Sequence, residues 1–187
     1  MILLVAFLIV AASVPLTGGR FSALATMQLR WMPALFATLL AQIVVTNVAP
    51  AAFPVDVMSA LHLATYVPAV LFVVVNRHQQ GLWLVGLGGG LNLAAIATNG
   101  GVMPSLPAAA AAAGHTAGSH FVNSAPSTDA PLWFLGDVFA WPQPLPLANV
   151  FSVGDLLLLV GAAVVLHTAC RRRDDEPLPS WSTALST

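Results

Sequence analysis

The chain has 187 residues, of which 58% are apolar and only 7% are Asp, Glu, Lys or Arg, where a soluble domain carries about 25% charged residues. A single core of this size cannot hide that much apolar surface, and one cysteine excludes a disulfide-stapled module. Six arginines, no lysine and a net charge of -1 leave nothing that could neutralise a nucleic-acid backbone, so no nucleic-acid partner is expected. The composition is that of an all-α integral membrane protein whose partner is the lipid bilayer.

A helical span needs about 20 largely apolar residues. In chain order the spans are predicted at about 1–16, 31–49, 57–75, 82–98 and 150–169, a five-span helical bundle forming a single transmembrane domain over residues 1–170. Met1–Leu16 has no positive residue before it, and Leu16-Thr17-Gly18 is a poor cleavage site, so it reads as a retained span and not a signal peptide. Arg20 and Arg30 follow span one, Arg77 follows span three, and Arg171, Arg172 and Arg173 follow span five. Five spans put all six on one side, which the positive-inside rule makes the cytoplasm. The expected location is therefore the cell membrane, N-terminus outside and C-terminus inside. The tail, residues 171–187, is polar and proline-containing and is expected to be disordered and cytoplasmic.

Asn99–Asn149 is too long for a mere connector. Its first part, Pro104–Ser127, is rich in Ala, Gly and Ser and reads as a short helix or a loop. Its second part, Pro131–Pro146, is apolar and aromatic but broken by prolines. With Trp133 and Trp141 suited to headgroup depth, it is expected to be an outer interfacial or re-entrant segment.

Span four carries Gly86 and Gly90, a small-xxx-small pair expected to pack against another helix. Asn92 and Asn99 follow seven residues apart, nearly two turns, and are expected to share one face. Span five opens with Ser152 and Asp155, spaced for a capping box. Asp137 and Asp155 are both expected at the outer boundary. Two carboxylates in one confined site cannot both ionise freely, so one can serve as base and the other as acid. They are the candidate catalytic pair, with Asn92, Asn99 and Ser152 as supporting polar groups.

Gly18-Gly19-Arg20, Leu29-Arg30, Gln42, Asn92, Asn99-Gly100-Gly101-Val102-Met103-Pro104, Leu135-Gly136-Asp137, Phe151-Ser152-Val153-Gly154-Asp155 and Gly161 together resemble an uncharacterised bacterial membrane protein family, that of the domain of unknown function 5317. That resemblance implies no activity. The region of the two aspartates is also similar, more faintly, to lipoprotein signal peptidases. Those are four-span aspartyl enzymes with one acid after the third span and one opening the fourth in a Phe-Asn-x-Ala-Asp segment. Asp137 after span four and Asp155 in Phe151-Ser-Val-Gly-Asp155 correspond once the first span is set aside, and Gly88-Gly89-Gly90-Leu91-Asn92 resembles that family's glycine-rich stretch. The likeness implies an aspartyl peptidase acting at the outer face. The chain departs from it in lacking an Asp-Arg pair after Asn92 and in its inserted alanine-rich segment.

His62, His115 and His120 fall toward the outer side but form no tight metal motif, and neither a metal nor a cofactor is expected. There is no phosphate-binding loop and no nucleophile elbow. A small-solute or ion transport component would use Gln42, Asn47, Asn92, Asn99 and Asp155 as its lining, although no inverted repeat is visible. A non-enzymatic membrane assembly protein would use the glycine faces. The reading carried forward is an outer-face aspartyl-type hydrolase site, with a membrane-embedded peptide or a lipid-linked substrate.

Overall fold

The computed structural model of the chain describes residues 2–45, 53–114 and 124–171. The tail beyond Arg171, the histidines His115 and His120, and Asn47 with the end of the second predicted span lie outside the described residues.

The protein is mostly helical. Helix α1 covers Ile2–Leu16, α2 Met32–Ile43, α3 Val55–Val75, α4 Leu82–Thr98, α5 Pro107–Ala112 and α6 Val153–Cys170. Among the described residues, two stretches are long and apolar enough to cross a membrane, Asp56–Val75 and Val153–Cys170, whereas α1, α2 and α4 are shorter apolar helices. Gly18 and Gly81 take φ of 80° and 85° beside α1 and α4, a conformation that glycine alone adopts at little cost.

The helices form a series of neighbours: α2 against α3, α3 against α4, α4 against α6 and α1 against α6, with α4 and α6 the most extensively packed. The chain runs up and down, and one end of the bundle is tied by polar contacts. Arg20 N donates to Cys170 O at 2.8 Å. Asn76 at the end of α3 takes the Arg30 amide at 2.8 Å on its Oδ1 and gives Nδ2 to Arg30 O at 2.9 Å. Arg20, Arg30, Arg77 and Arg171 thus gather at this end.

A cap closes the opposite end. The expected short helix or loop over Pro104–Ser127 holds the short helix α5, and prolines keep the segment from forming a long helix, but around it backbone groups also pair as short strands. Strand β1 (Met103–Ser105) runs parallel to β2 (Ser124–Pro126), and β3 (Phe139–Trp141) runs antiparallel to β4 (Asn149–Phe151). Asp137 pairs with the free side of β1: its N–H donates to Pro104 O at 2.8 Å, and its carbonyl accepts from Leu106 N at 3.0 Å. The alanine run has a packing reason, because Ala109 and Ala113 are buried against Val150 and Ala140. Trp133 and Trp141 remain exposed at 53% and 38%.

The Asn99-Gly100-Gly101 turn joins bundle and cap. Gly101 has φ of 89°, and a Cβ there would lie 2.5 Å from Ser59 Cβ on α3. Its carbonyl accepts from His62 Nδ1 at 2.9 Å, which assigns the ring proton to that nitrogen. Glycine is required here both for the turn and for the close approach to α3.

Candidate functional site

The site begins at the crossing of α4 and α6. A Cβ on Gly88 would fall 2.5 Å from Gly154 O, and one on Gly154 would overlap Asn92 Oδ1. Gly161 comes equally close to Val85 further along the crossing. The two backbones therefore approach at Gly88, Gly154 and Gly161. Gly86 instead faces Val73 of α3, and a Cβ on Gly90 would meet nothing within 4 Å.

That close approach lets Asn92 reach the first turn of α6. Ser152 Oγ accepts from Asp155 N at 2.9 Å, and Asp155 Oδ2 accepts from Ser152 N at 3.0 Å, forming a capping box. Ser152 Oγ donates to Asn92 Oδ1 at 2.8 Å, and Asn92 Nδ2 donates to Asp155 Oδ1 at 2.9 Å. Both Asp155 oxygens thus accept from N–H donors, which fixes the carboxyl at the start of α6. Asn99 does not join this group. Its Nδ2 donates to Ala95 O and to Pro131 O, each at 2.7 Å, and so ties the helix end to the cap.

Asp137 enters from the cap. Its backbone is pinned to β1, and Gly136 beside it has no room for a side chain, since a Cβ would overlap Pro104 O. The carboxyl is 6% exposed, and its Oδ2 accepts from Ser124 Oγ at 2.5 Å. Burial pushes its pKa up from 3.8 to about 6; the Ser124 hydroxyl opposes this and the nearby charge of Asp155 adds to it.

The two acids line one cavity of about 470 Å³ between the helices and the cap. Leu3 of α1, Gln42 of α2, Tyr66 of α3, Asn92 and Ile96 of α4, and Leu158 of α6 form its walls, while Ser124 and Asn149 contribute from the cap. Ser124, Asn149 and Tyr66 were not singled out from the sequence. Tyr66 carried a signal, being a lone tyrosine in an apolar span; Ser124 carried none, because it lies in an alanine- and serine-rich stretch. The remaining described acids of the cap side, Asp56 and Asp129, are exposed. Among the described residues, no three His, Cys, Asp or Glu side chains gather to hold a metal ion.

A carboxyl whose pKa burial raises to about 6, lining one cavity with a second acid, can move a proton to and from a bound molecule.

Residues 26–167 match the sequence model of a family of unknown function, DUF5317, and the chain belongs to that family. No curated protein and no solved structure matches the chain.

Proposed function

We propose that this DUF5317 member is a five-span membrane protein, N-terminus outside and C-terminus cytoplasmic, with an outer-face hydrolase site of the aspartyl type. Two features support the membrane setting. The long apolar stretches Asp56–Val75 and Val153–Cys170 bury only 22% and 17% of their residues inside the protein, whereas a water-facing helix needs a polar side. The described arginines, Arg20, Arg30, Arg77 and Arg171, share one end of the bundle, as the positive-inside rule requires of a cytoplasmic face. The cap and its cavity then lie on the outer side.

The observation that carries the hydrolytic reading is that Asp137 and Asp155, brought from different elements, line the same cavity, where burial raises the pKa of Asp137. Asp155, ionised, takes a proton from water as the water oxygen bonds to a carbonyl carbon. Asp137, protonated, donates to the carbonyl oxygen. As the carbon–nitrogen or carbon–oxygen bond breaks, a proton passes to the leaving group, and the two acids return to their starting states together. The depth of the cavity suits an apolar substrate, either a membrane-embedded peptide or a lipid-linked molecule.

The test is a cleavage screen in proteoliposomes with apolar peptides and acyl-linked peptides. Asp137→Asn and Asp155→Asn should each reduce turnover by roughly 10²- to 10⁴-fold, the usual worth of acid–base groups, while the protein stays folded. Turnover retained in both variants, or none in the wild type, would sink the hydrolytic reading. An ion or solute flux that Asp155→Asn alters would replace it with transport.

A further inference from the structure

Tyr66 is the one tyrosine of the chain, and neither the capping box nor the acid pair uses it. Its ring packs against His62 at a tilt of 57°, with centroids 5.7 Å apart, and His62 is itself fixed by the Gly101 carbonyl. The ring is therefore positioned from both α3 and the turn beneath the cap. Tyr66 lines the cavity shared by Asp137 and Asp155. The hydroxyl makes no hydrogen bond to any described residue. Since no buried polar side-chain atom of the described residues lacks a partner, this hydroxyl is open to the cavity it lines, and on a ring held in place it can donate to a molecule bound there.

The rest of the lining narrows the ligand. Gln42 and Asn149 carry amides, and among the described lining residues the ionisable groups are Tyr66 and the two acids, with no arginine, lysine or histidine. An anion placed there would face like charge with no cation to offset it. A neutral carbonyl group, by contrast, offers an acceptor oxygen to Tyr66.

We infer that the Tyr66 hydroxyl binds the oxygen of a neutral carbonyl ligand, an amide or an ester, in this cavity, and that the site rejects phosphates and other anions. In the proposed reaction this places the scissile carbonyl: Tyr66 holds its oxygen while the acids handle the protons. The inference rests on the hydrolytic reading for that role but not for binding.

Because the tyrosine is unique, the full-length protein in nanodiscs, labelled with 3-fluorotyrosine, gives a fluorine resonance that reports Tyr66 alone. Three probes with one acyl or alkyl chain separate the outcomes: decanamide, decyl phosphate and decylammonium. Decanamide should shift the resonance saturably, whereas decyl phosphate should leave it in place. Binding of carbonyl-labelled decanamide, followed by its own carbon resonance, should weaken at least ~10-fold in Tyr66→Phe, the loss of one ligand hydrogen bond. A saturable shift with decyl phosphate, a tighter response to decylammonium than to decanamide, no response to decanamide, or unchanged affinity in Tyr66→Phe would each overturn the inference. Decanamide binding that depends on Tyr66, without hydrolysis of any amide or ester, would leave this assignment standing while removing the hydrolase.

Discussion

Asn92 of α4 donates its side-chain amide to Asp155 of α6 at 2.9 Å, while its oxygen accepts from the Ser152 hydroxyl at 2.8 Å. A capping box is ordinarily closed within its own helix. Here the neighbouring helix enters it, so the carboxylate that starts α6 is also joined to α4. The same bonds set the Asn92 rotamer, because its oxygen must meet a donor and its nitrogen an acceptor. Helix start, helix packing and the position of the Asp155 carboxyl thus depend on one amide.

Asn92→Ala should destabilise the protein by about 1–3 kcal/mol, the cost of leaving buried polar partners unmet. Chemical unfolding in detergent measures it. Stability equal to the wild type would mean that the α4–α6 bridge has no structural weight.

The glycines divide sharply. Gly154→Ala and Gly88→Ala place a methyl group against Asn92 and the Gly154 carbonyl respectively, and should each cost at least about 1–3 kcal/mol through overpacking. Gly90→Ala meets open space and should be neutral or stabilise by about 0.5–1 kcal/mol, as Ala does over Gly in a helix. The ranking of melting temperatures decides it; Gly90→Ala as damaging as Gly88→Ala would contradict the packing.

The raised pKa of Asp137, about 6 against 3.8, makes stability depend on pH with a definite sign. Between those values the folded state holds more proton than the unfolded chain, so stability is greatest at the acid end and falls as pH rises toward and past 6. The loss should be on the order of 3 kcal/mol. Asp137→Asn, which keeps an acceptor for Ser124, should flatten this part of the profile. An unchanged slope in that variant would assign the proton to another group.

Asn76 holds both backbone groups of Arg30 with one side chain and also donates to Phe72 O. Asn76→Ala should release the segment leading into α2 and cost about 1–3 kcal/mol. Hydrogen exchange at the Arg30 amide should rise in step; protection that stays at the wild-type level would argue against the clamp.

Orientation is open to direct chemical labelling. In a Cys170→Ser background, Thr128→Cys on the cap should react with an impermeant maleimide added to intact cells, and Ser22→Cys should react only after permeabilisation. The reverse pattern would turn the protein over in the bilayer.

Local composition sufficed for the helical character of the chain. Apolar runs between Gly, Pro and Arg mark α1, α3, α4 and α6 closely, because a helix satisfies its own backbone and its limits are set by nearby residues. The spacing of Ser152 and Asp155 likewise contains its capping box, and the family motifs suffice for membership. The cap was less legible. Its strands are only three residues each, too short for alternation to register, and they exist because distant backbone groups need partners. Asp137 and Ser124 meet only through β1, so nothing in the spacing of those two residues announces their hydrogen bond. The choice of Gly88 over Gly90 as the point of helix contact was likewise beyond a small-xxx-small pattern, since the rotation of α4 about its axis is set by where Asn92 finds Ser152 and Asp155. The sequence by itself determined which segments are helical and which residues can carry charge. The tertiary structure alone decided that two acids 18 positions apart share one cavity with a tyrosine from α3, because burial and charge proximity depend on three-dimensional packing and not on chain distance.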